Sequence, residues 1–239
     1  MVGHNSRGTV NPIQSMGPNS SKPFQLEAIR SAGFQVPATL VTTDVADVEE
    51  FWAEHHSVIY KSVSSIRSHV TMLKPVDSQR LKSVEWCPTQ FQQYIPGKDV
   101  RVHVVVDELF ATEVVSDAVD YRYAEAENVA EPVLREVNLP HEVANRCIEM
   151  SRKMALPFAG VDLRVTPDGQ WFCFEVNPSP GFSYYESATG QPIAAAVARL
   201  LANAPNPDHH CNFTAAGGSF LGHPFVSANL RPSVGPLPT

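Results

Sequence analysis

The chain has 239 residues, of which 43% are hydrophobic and 18% charged, a composition typical of a globular protein with a substantial buried core. Its 18 Lys and Arg against 25 Asp and Glu leave a formal net charge of -7 with no basic run, so we expect no nucleic-acid partner. Four scattered cysteines and the lack of an apolar stretch of about 20 residues predict a cytoplasmic protein with reduced thiols and no membrane partner.

Helix and strand signals alternate in the first third of the chain. The stretch NSSKPFQLEAIRSAGF predicts a helix with a serine cap, a proline in its first turn and Gly33 as its terminator. VPATLVT predicts a strand, DVADVEEFWAEHH a second helix and SVIYKSV a second strand. These elements form a first block that ends near residue 88.

The second block, from about residue 89, is predicted to contain two hairpins and two helices. PTQFQQYIPGKDVRVHVVVDELFATEVV predicts an antiparallel hairpin about Asp107 and Glu108, and LPHEVANRCIEMSRKMAL predicts an amphipathic helix. GVDLRVTPDGQWFCFEVNPSPG predicts a hairpin that turns at TPDG, and GQPIAAAVARLLAN predicts a last helix. Helices interleaved with antiparallel hairpins favour an α+β fold in two lobes. Residues 204–239, rich in Pro and Gly, predict no packed element.

The last hairpin carries a candidate metal site. Pairing about a two-residue loop, Pro167-Asp168, places Asp162, Glu175 and Asn177 on one face, with Asp162 diagonal to Glu175 at roughly 7 to 8 Å. Three oxygen donors favour Mg²⁺ or Mn²⁺ over zinc, and Mg²⁺ commonly completes its shell with water and substrate phosphates. A solvated sheet face followed by a turn is an equally open interpretation. The same register places Cys173 on the face of the three oxygen donors. It groups the apolar side chains on the other face: Val161, Leu163, Val165, Phe172, Phe174 and Val176.

Lys61 interrupts the apolar strand SVIYKSV, where a buried ammonium would need an anionic partner. An edge-strand lysine that guards against aggregation is the alternative, and this residue by itself favours that alternative. The chain contains no GxxxxGK[ST] and no GxGxxG motif, so a bound nucleotide would have to be held by other groups, such as lysines on strands.

Six pieces of the chain, in order, resemble the ATP-grasp superfamily, and most closely its RimK-type glutamate ligases and microviridin-type (MvdD-like) peptide ligases. The pieces are NSSKPFQLEAIRSAGFQVPATL, VIYKSVSSIRS, FQQYIPGKDVRVHVV, DYR, GVDLRVTPDGQWFCFEVNPSPG and TGQPIAAAVARLL, and they cover about residues 9–203. The resemblance implies an ATP-grasp fold, in which two α+β lobes with mainly antiparallel sheets enclose the nucleotide. It implies an N-terminal segment over 1–20 as a linker remnant, an N-terminal lobe over 21–88 and a C-terminal lobe with the metal site over 89–203.

The same resemblance implies ATP and Mg²⁺ (or Mn²⁺) as cofactors and gives roles to three sets of residues. The residues implied in nucleotide binding are Lys22, Lys61, Gln92, Gln93, Tyr94, Ile95 and Asp99. The residues implied in metal binding are Asp162, Glu175 and Asn177. The residues implied in stabilising the transferring phosphoryl group are Arg122, Arg101 and Arg164, since a guanidinium fork suits that charge. For Arg164 by itself, an ion-paired sheet-face arginine is the favoured alternative.

The activity that the resemblance implies is Mg-ATP-dependent ligation of a carboxylate to an amine or a hydroxyl, through an acyl phosphate, on an amino acid or a peptide. This chemistry needs no protein nucleophile, so His103 is expected to be structural or exposed. The alternative is a catalytically incomplete nucleotide-binding module that acts as a regulator or a partner subunit. Substrate choice is expected to lie in loops such as SYYESATG.

Relatives of this kind carry a further N-terminal domain that helps to form the substrate site, and almost nothing precedes Lys22 here. The expectation is therefore that this domain is largely absent: the chain is a fragment, or a partner, which includes a second copy of the chain, supplies the missing surface.

Overall fold

The computed structural model describes residues 10–20, 22–63, 69–116, 118, 121 and 129–203. The chain divides into two units, Met1–Ala204 and Pro205–Thr239, and the described residues all belong to the first unit. The tail predicted over 204–239 lies outside the described residues.

A first sheet gathers strands from the first block of the chain. Its strands are β1 Thr39–Thr42, β2 Val58–Ser62, β3 Thr71–Met72 and β4 Thr89–Gln93, and they pair antiparallel in the order β1-β4-β2-β3. Helix α2, Val45–His55, begins after Asp44, whose side chain accepts a hydrogen bond from the Ala46 N–H at 2.8 Å. The helix and the 3-10 segment Pro75–Trp86 share a core with this sheet, whose buried members are Val48, Val58, Leu73, Leu81, Val84 and Phe91.

A second, five-stranded sheet is built from the remainder of the described chain. Its strands are β5 Lys98–Val105, β6 Glu108–Val115, β7 Val133–Glu136, β8 Phe158–Val165 and β9 Trp171–Asn177, antiparallel in the order β7-β6-β5-β8-β9. Helices α1, Lys22–Ser31, and α3, His141–Lys153, supply side chains to the core on one face of the sheet. Helices α4, Ser183–Thr189, and α5, Ile193–Ala202, pack with Val105, Phe110 and Phe158 in a separate cluster.

The predicted α+β class with mainly antiparallel sheets is confirmed. Strand β4 follows the predicted lobe boundary near residue 88 yet completes the first sheet, and helix α1 precedes that boundary yet packs in the core of the second sheet. Strand pairing does not itself test how the chain divides into lobes, so the lobe boundaries stay a prediction.

The predicted two-residue turn of the β8–β9 hairpin is wrong. The Thr166 N–H donates to the Gln170 carbonyl at 2.9 Å, and the Gly169 N–H donates to the Thr166 carbonyl at 2.9 Å. The loop therefore has three residues, Pro167 to Gly169, and Gly169 adopts the left-handed φ of 84° that a three-residue hairpin loop needs at this position. The longer loop shifts the register of the two strands by one residue.

A β-bulge shifts the register once more. Leu163 pairs with Cys173 and Asp162 pairs with Glu175, so Phe174 is the extra residue. Asp162 and Glu175 therefore lie directly opposite each other and not on the predicted diagonal. Cys173, predicted on the polar face, is fully buried in the core, whereas Phe174, predicted in the core, lines the cleft described below.

No helix among the described residues combines the length and the apolar character that crossing a membrane requires.

Candidate active site

One face of the second sheet carries three rows of polar residues across β5, β8 and β9. Along β5 the valines at 100, 102 and 104 enter the core, so the residues between them point to the opposite face. Successive rows are two residues apart along a strand, or about 6.7 Å. The rows are Asp99 with Arg164, Arg101 with Asp162 and Glu175, and His103 with Gly160 and Asn177.

A cleft of about 300 Å³ lies over these rows and is lined by both sheets. Ile59, Lys61 and Gln92 come from the first sheet, and Tyr121 and Tyr185 come from segments beside the second. The structure thus brings together residues that are more than 100 positions apart in the chain. The predicted site residues that line the cleft are Lys61, Gln92, Tyr94, Asp99, Arg101, Asp162, Arg164, Glu175 and Asn177.

Four predicted site residues are not among those that line the cleft. Gln93 points away from Gln92 and Tyr94 because side chains alternate along β4, and its N–H donates to the Ala38 carbonyl at 2.9 Å. Ile95 is buried at 4% exposure, with its carbonyl accepting from Arg164. Lys22 is the first residue of helix α1, but its side chain lies outside the described part of the structure, as does the whole of Arg122.

The side chain of Lys61 is held at the cleft by Gln92, which is itself held by a second hydrogen bond. Its Nζ donates to Oε1 of Gln92 at 3.4 Å, and Nε2 of Gln92 donates to the Thr39 hydroxyl at 3.0 Å. Strand β2 lies between β4 and β3, so Lys61 is on an interior strand and the edge-strand interpretation is wrong. An ammonium on an interior strand that lines a cleft is suited to an anionic ligand.

Arg101 is buried at 7% exposure in the middle row. Its Nη1 donates to Oδ1 of Asp162, and its guanidinium lies 5.8 Å from the centre of the Tyr185 ring. Burial is the largest single influence on the pKa of Arg101 and disfavours the charged guanidinium. The Asp162 carboxylate, together with Tyr185 and Tyr121, outweighs burial and raises the pKa of Arg101 above its ordinary value. Its Nε is buried without a hydrogen-bond partner among the described residues, so a donor remains in this row.

His103, fully buried in the last row, is a neutral residue beneath the cleft rather than one that lines it. Burial, and then the charge of Arg101, lower the pKa of His103 to about 4. Its Nε2 lies 3.1 Å from the Gly181 carbonyl, which only accepts, so Nε2 carries the proton and Nδ1 has none to donate. The expectation that His103 is structural agrees with this fixed, neutral ring, which also packs edge-on against Tyr185 at 4.9 Å between centroids.

Tyr121 and Tyr185 are site residues that the sequence did not single out. Their hydroxyls lie 2.7 Å apart, and burial, followed by the nearby Asp162 carboxylate, raises the pKa of Tyr121, so its phenol stays protonated. The available signals were adjacency to Arg122 in the DYR piece and membership of SYYESATG. Neither showed that the two hydroxyls would meet, because 64 positions separate them.

The donor set fits a hard divalent cation. Asp162 and Glu175 are cross-strand partners, whose Cβ atoms are typically about 5 Å apart, and Asn177 lies two residues further along β9. Carboxylate and amide oxygens suit Mg²⁺, which takes its other ligands from water and phosphate. Among the described residues no three His, Cys, Asp or Glu side chains group as a metal site.

Comparison with known proteins agrees with this geometry. Residues 20–201 match the family model of the RimK-like ATP-grasp domain. The ATP-grasp ligase PsnB, solved in complex with a minimal precursor, is similar over 81% of this chain and 62% of its own, with 28% identity and a TM-score of 0.70. PsnB has also been solved with a phosphomimetic variant of that precursor, Mg and ADP. A search of curated proteins gave no match.

Two more distant structures share the fold. The macrocyclase MdnC from Microcystis aeruginosa MRC, bound with the precursor peptide MdnA, is similar over 81% of this chain and 64% of its own, with 24% identity and a TM-score of 0.71. D-alanine–D-alanine ligase from Bacillus anthracis, complexed with ATP, is similar over 80% of this chain and 67% of its own, with 19% identity and a TM-score of 0.59.

The two antiparallel sheets that line one polar cleft therefore form an ATP-grasp fold, as the sequence predicted. The chain belongs to the RimK-like ATP-grasp family, and that prediction is confirmed. It spans about 62% of the length of PsnB.

Proposed function

We propose that this chain forms the nucleotide-binding and catalytic part of a Mg-ATP-dependent ligase that joins a carboxylate to an amine or a hydroxyl of a peptide substrate. The observation that carries the proposal is one cleft in which Lys61 and Arg101 surround the facing carboxylates of Asp162 and Glu175. Membership of the RimK-like family supports ATP-dependent ligation, and the precursor complexes of PsnB and MdnC support a peptide substrate.

Each part of the cleft has a role in this proposal. The backbone of Gln92 to Ile95 would bind the base, and Lys61 would bind phosphate oxygens. Asp162, Glu175 and Asn177 would hold Mg²⁺, which, when bound, neutralises phosphate charge. Arg101 would donate to the transferring phosphoryl group, because its buried charge is stronger than a solvated one.

In the proposed reaction the substrate carboxylate takes the γ-phosphoryl group, and ADP leaves. The resulting acyl phosphate is attacked by an amine or a hydroxyl, which gives an amide or an ester and phosphate. Since His103 is neutral and held by the Gly181 carbonyl, it takes no proton in either step. Catalysis would therefore depend on positioning and on charge stabilisation.

The second candidate is a catalytically incomplete nucleotide-binding module that acts as a regulator or a partner subunit. The one observation that favours it is that the chain spans only about 62% of the length of PsnB. The reduced, cytoplasmic setting stays a prediction, supported by two buried thiols, Cys147 and Cys173.

Thermal unfolding with and without Mg-ADP tests the nucleotide site that both candidates share. A ligand at 100 times its dissociation constant should stabilise the wild-type chain by about 2.7 kcal/mol. Glu175→Ala and Lys61→Ala should lose this Mg-dependent stabilisation, whereas Glu108→Ala, an exposed carboxylate paired with Arg199, should keep it. Equal stabilisation without Mg²⁺, or in Glu175→Ala, would contradict the proposed metal site.

Release of ADP separates the two candidates. The wild-type chain is incubated with Mg-ATP and peptides that contain both a Glu side chain and a Lys or Thr side chain, and ADP is measured together with product mass. A ligase should release ADP only when the peptide is present and should yield a product lighter than its precursors by one water. Binding of Mg-ADP without any peptide-dependent ADP release would favour the regulatory module.

A further inference from the structure

Arg164 is held on every side by groups of the chain itself. Its Nε and Nη2 donate to the two carboxylate oxygens of Asp99 at 2.8 and 2.9 Å, and its Nη1 donates to the Ile95 carbonyl at 2.8 Å. The guanidinium also lies 5.6 Å from the centre of the Tyr94 ring and 5.3 Å from that of Phe174. Such a fork, which is bidentate and stacked on aromatic rings, is a fixed structural unit.

The β-bulge in β9 helps to build this unit. Phe174 is the extra residue of the bulge, and it lines the cleft beside Glu175 instead of entering the core. Its ring can thereby contact Arg164, while Cys173 keeps its place in the core. The same irregularity that sets Glu175 opposite Asp162 therefore also places an aromatic ring beside the guanidinium.

The segment that Arg164 holds is the candidate hinge between the two sheets. Ile95 follows Tyr94 directly after strand β4, and Asp99 lies near the start of β5. The backbone of Gly97 in the same segment also packs closely against β8, since a Cβ added there would lie 2.9 Å from the Val165 carbonyl carbon and 3.1 Å from Cγ of Arg164. The hinge is thus packed against two adjacent residues of strand β8, Arg164 and Val165.

We infer that Arg164 is a positioning residue that fixes the hinge backbone for the base of the nucleotide. This role differs from the stabilisation of the phosphoryl group that the resemblance implies for Arg164. It follows from the three donors that point to Asp99 and Ile95 and from the 13% exposure of the side chain. The inference rests on the proposed function, because it assumes that a nucleotide binds in this cleft.

Calorimetric binding of two probes tests the inference. Mg-ADP carries a base and phosphates, whereas Mg-tripolyphosphate carries phosphates alone. Arg164→Gln should weaken the binding of Mg-ADP by about tenfold or more, the loss expected when a hydrogen bond to a charged group is removed. Its binding of Mg-tripolyphosphate should equal that of the wild type. The matched control is Arg152→Gln, which removes an exposed arginine paired with Asp107 and should alter neither affinity.

Two further variants keep the test decisive. Arg164→Lys retains the charge and the fold but loses the guanidinium fork. It should likewise weaken the binding of Mg-ADP and leave that of Mg-tripolyphosphate unchanged. If Arg164→Gln does not fold, the result for Arg164→Lys tests the inference in its place. In the Arg164→Gln background, Asp99→Asn should cause no added loss of Mg-ADP affinity, because the two residues act through one contact.

Three results would overturn the inference, and they are distinguishable. Equal weakening of both probes would show that Arg164 acts on the phosphates. Unchanged affinity for both probes, with a lowered melting temperature, would show a role in stability alone. A wild-type chain that binds neither probe would contradict the proposed nucleotide site, and the inference would fail with it.

Discussion

Arg101 is enclosed by residues of two other elements, β8 and α4. Asp162 accepts from it across the β5–β8 pair, Tyr185 of α4 lies beneath its guanidinium, and Gly160 of β8 leaves the space that the side chain occupies. Removing one partner of a buried ion pair leaves an uncompensated charge and is strongly destabilising, by about 3 to 5 kcal/mol. The position of Arg101 therefore depends on small residues nearby as much as on its own charge.

Gly160→Ala should displace Arg101. The added Cβ would lie 2.7 Å from Cζ of Arg101 and 2.7 Å from Cβ of Pro180, which is closer than carbon atoms approach without a shift. We expect a loss of about 1 to 3 kcal/mol in the free energy of unfolding, together with weaker Mg-ADP binding, measured by urea unfolding and calorimetry. Gly17→Ala is the control, since its Cβ would meet nothing within 4 Å. If the two variants have the same free energy of unfolding and the same affinity for Mg-ADP, the added Cβ at position 160 does not displace Arg101.

His103 should make the stability of the protein depend on pH. The folded chain holds the pKa of His103 at about 4, against an ordinary value of 6.5, so the unfolded chain binds more protons between these values. The free energy of unfolding should therefore fall as the pH drops through 6.5 toward 4, with a contribution from His103 of about 2 kcal/mol between pH 7 and pH 5.

Urea unfolding at pH 7 and pH 5 measures this contribution. His103→Gln should lose less stability on acidification than the wild type, and His141→Gln, which changes an exposed histidine, should lose as much as the wild type. The same loss in all three proteins would mean that His103 is not held neutral by the fold.

At the scale of elements, strand β9 shows how an edge strand is covered. It lies at the edge of the second sheet, where unpaired backbone groups invite association. Gln25 of helix α1 accepts from the Val176 N–H at 3.1 Å and donates to the Val176 carbonyl at 2.8 Å, and the Gln35 carbonyl accepts from the Cys173 N–H at 2.9 Å. The helix thus covers the strand that carries Glu175.

Gln25→Ala should expose this edge. Gln25 is 3% exposed, so its removal would leave both backbone groups of Val176 without their partner. We expect a loss of about 1 to 3 kcal/mol in the free energy of unfolding, measured with urea. Glu27→Ala on the same helix, at a side chain with 71% exposure, should have little effect. A Gln25→Ala variant as stable as Glu27→Ala would show that water replaces the glutamine.

At the scale of the whole molecule, described residues from distant parts of the chain build one compact unit. Asn11, near its start, donates to the Phe158 carbonyl at 2.7 Å and accepts from the Phe158 N–H at 3.1 Å, which ties this segment to the beginning of β8. The family match runs from residue 20 to residue 201, and the hydrophobic clusters among the described residues draw their members from within residues 10–200.

A chain that ends at Ala204 should therefore keep its fold and its site. The segment from 205 onward has six Pro and four Gly, with only Asp208 and Arg231 charged, a composition that rarely packs. The melting temperature and the stabilisation by Mg-ADP should equal those of the full chain, as differential scanning calorimetry would measure. A truncated chain that melts well below the full chain would show that the second unit contributes to stability.

The family and most of the local structure could be predicted from the amino-acid sequence. The helices α1, α2, α3 and α5 and the hairpin β5–β6 have clear local signals, such as the Gly33 terminator and the apolar periodicity of α3. The oxygen donors at Asp162, Glu175 and Asn177 could be proposed together because one short hairpin carries all three. Because these three residues lie close together in the sequence, the alternation of side chains along a strand was enough to place them on one face of the hairpin.

The register of that hairpin and the partners of its charged side chains could not be predicted in this way, because they depend on tertiary packing. The register depended on a three-residue turn and a one-residue bulge. Each of them changes the pairing of the strands, and the local sequence has almost no preference between the alternative pairings. The contacts of Arg164 with Asp99 and Ile95, and of Tyr121 with Tyr185, join residues 64 to 69 positions apart. Such contacts arise from the packing of whole elements against one another, and no local preference of the chain specifies them.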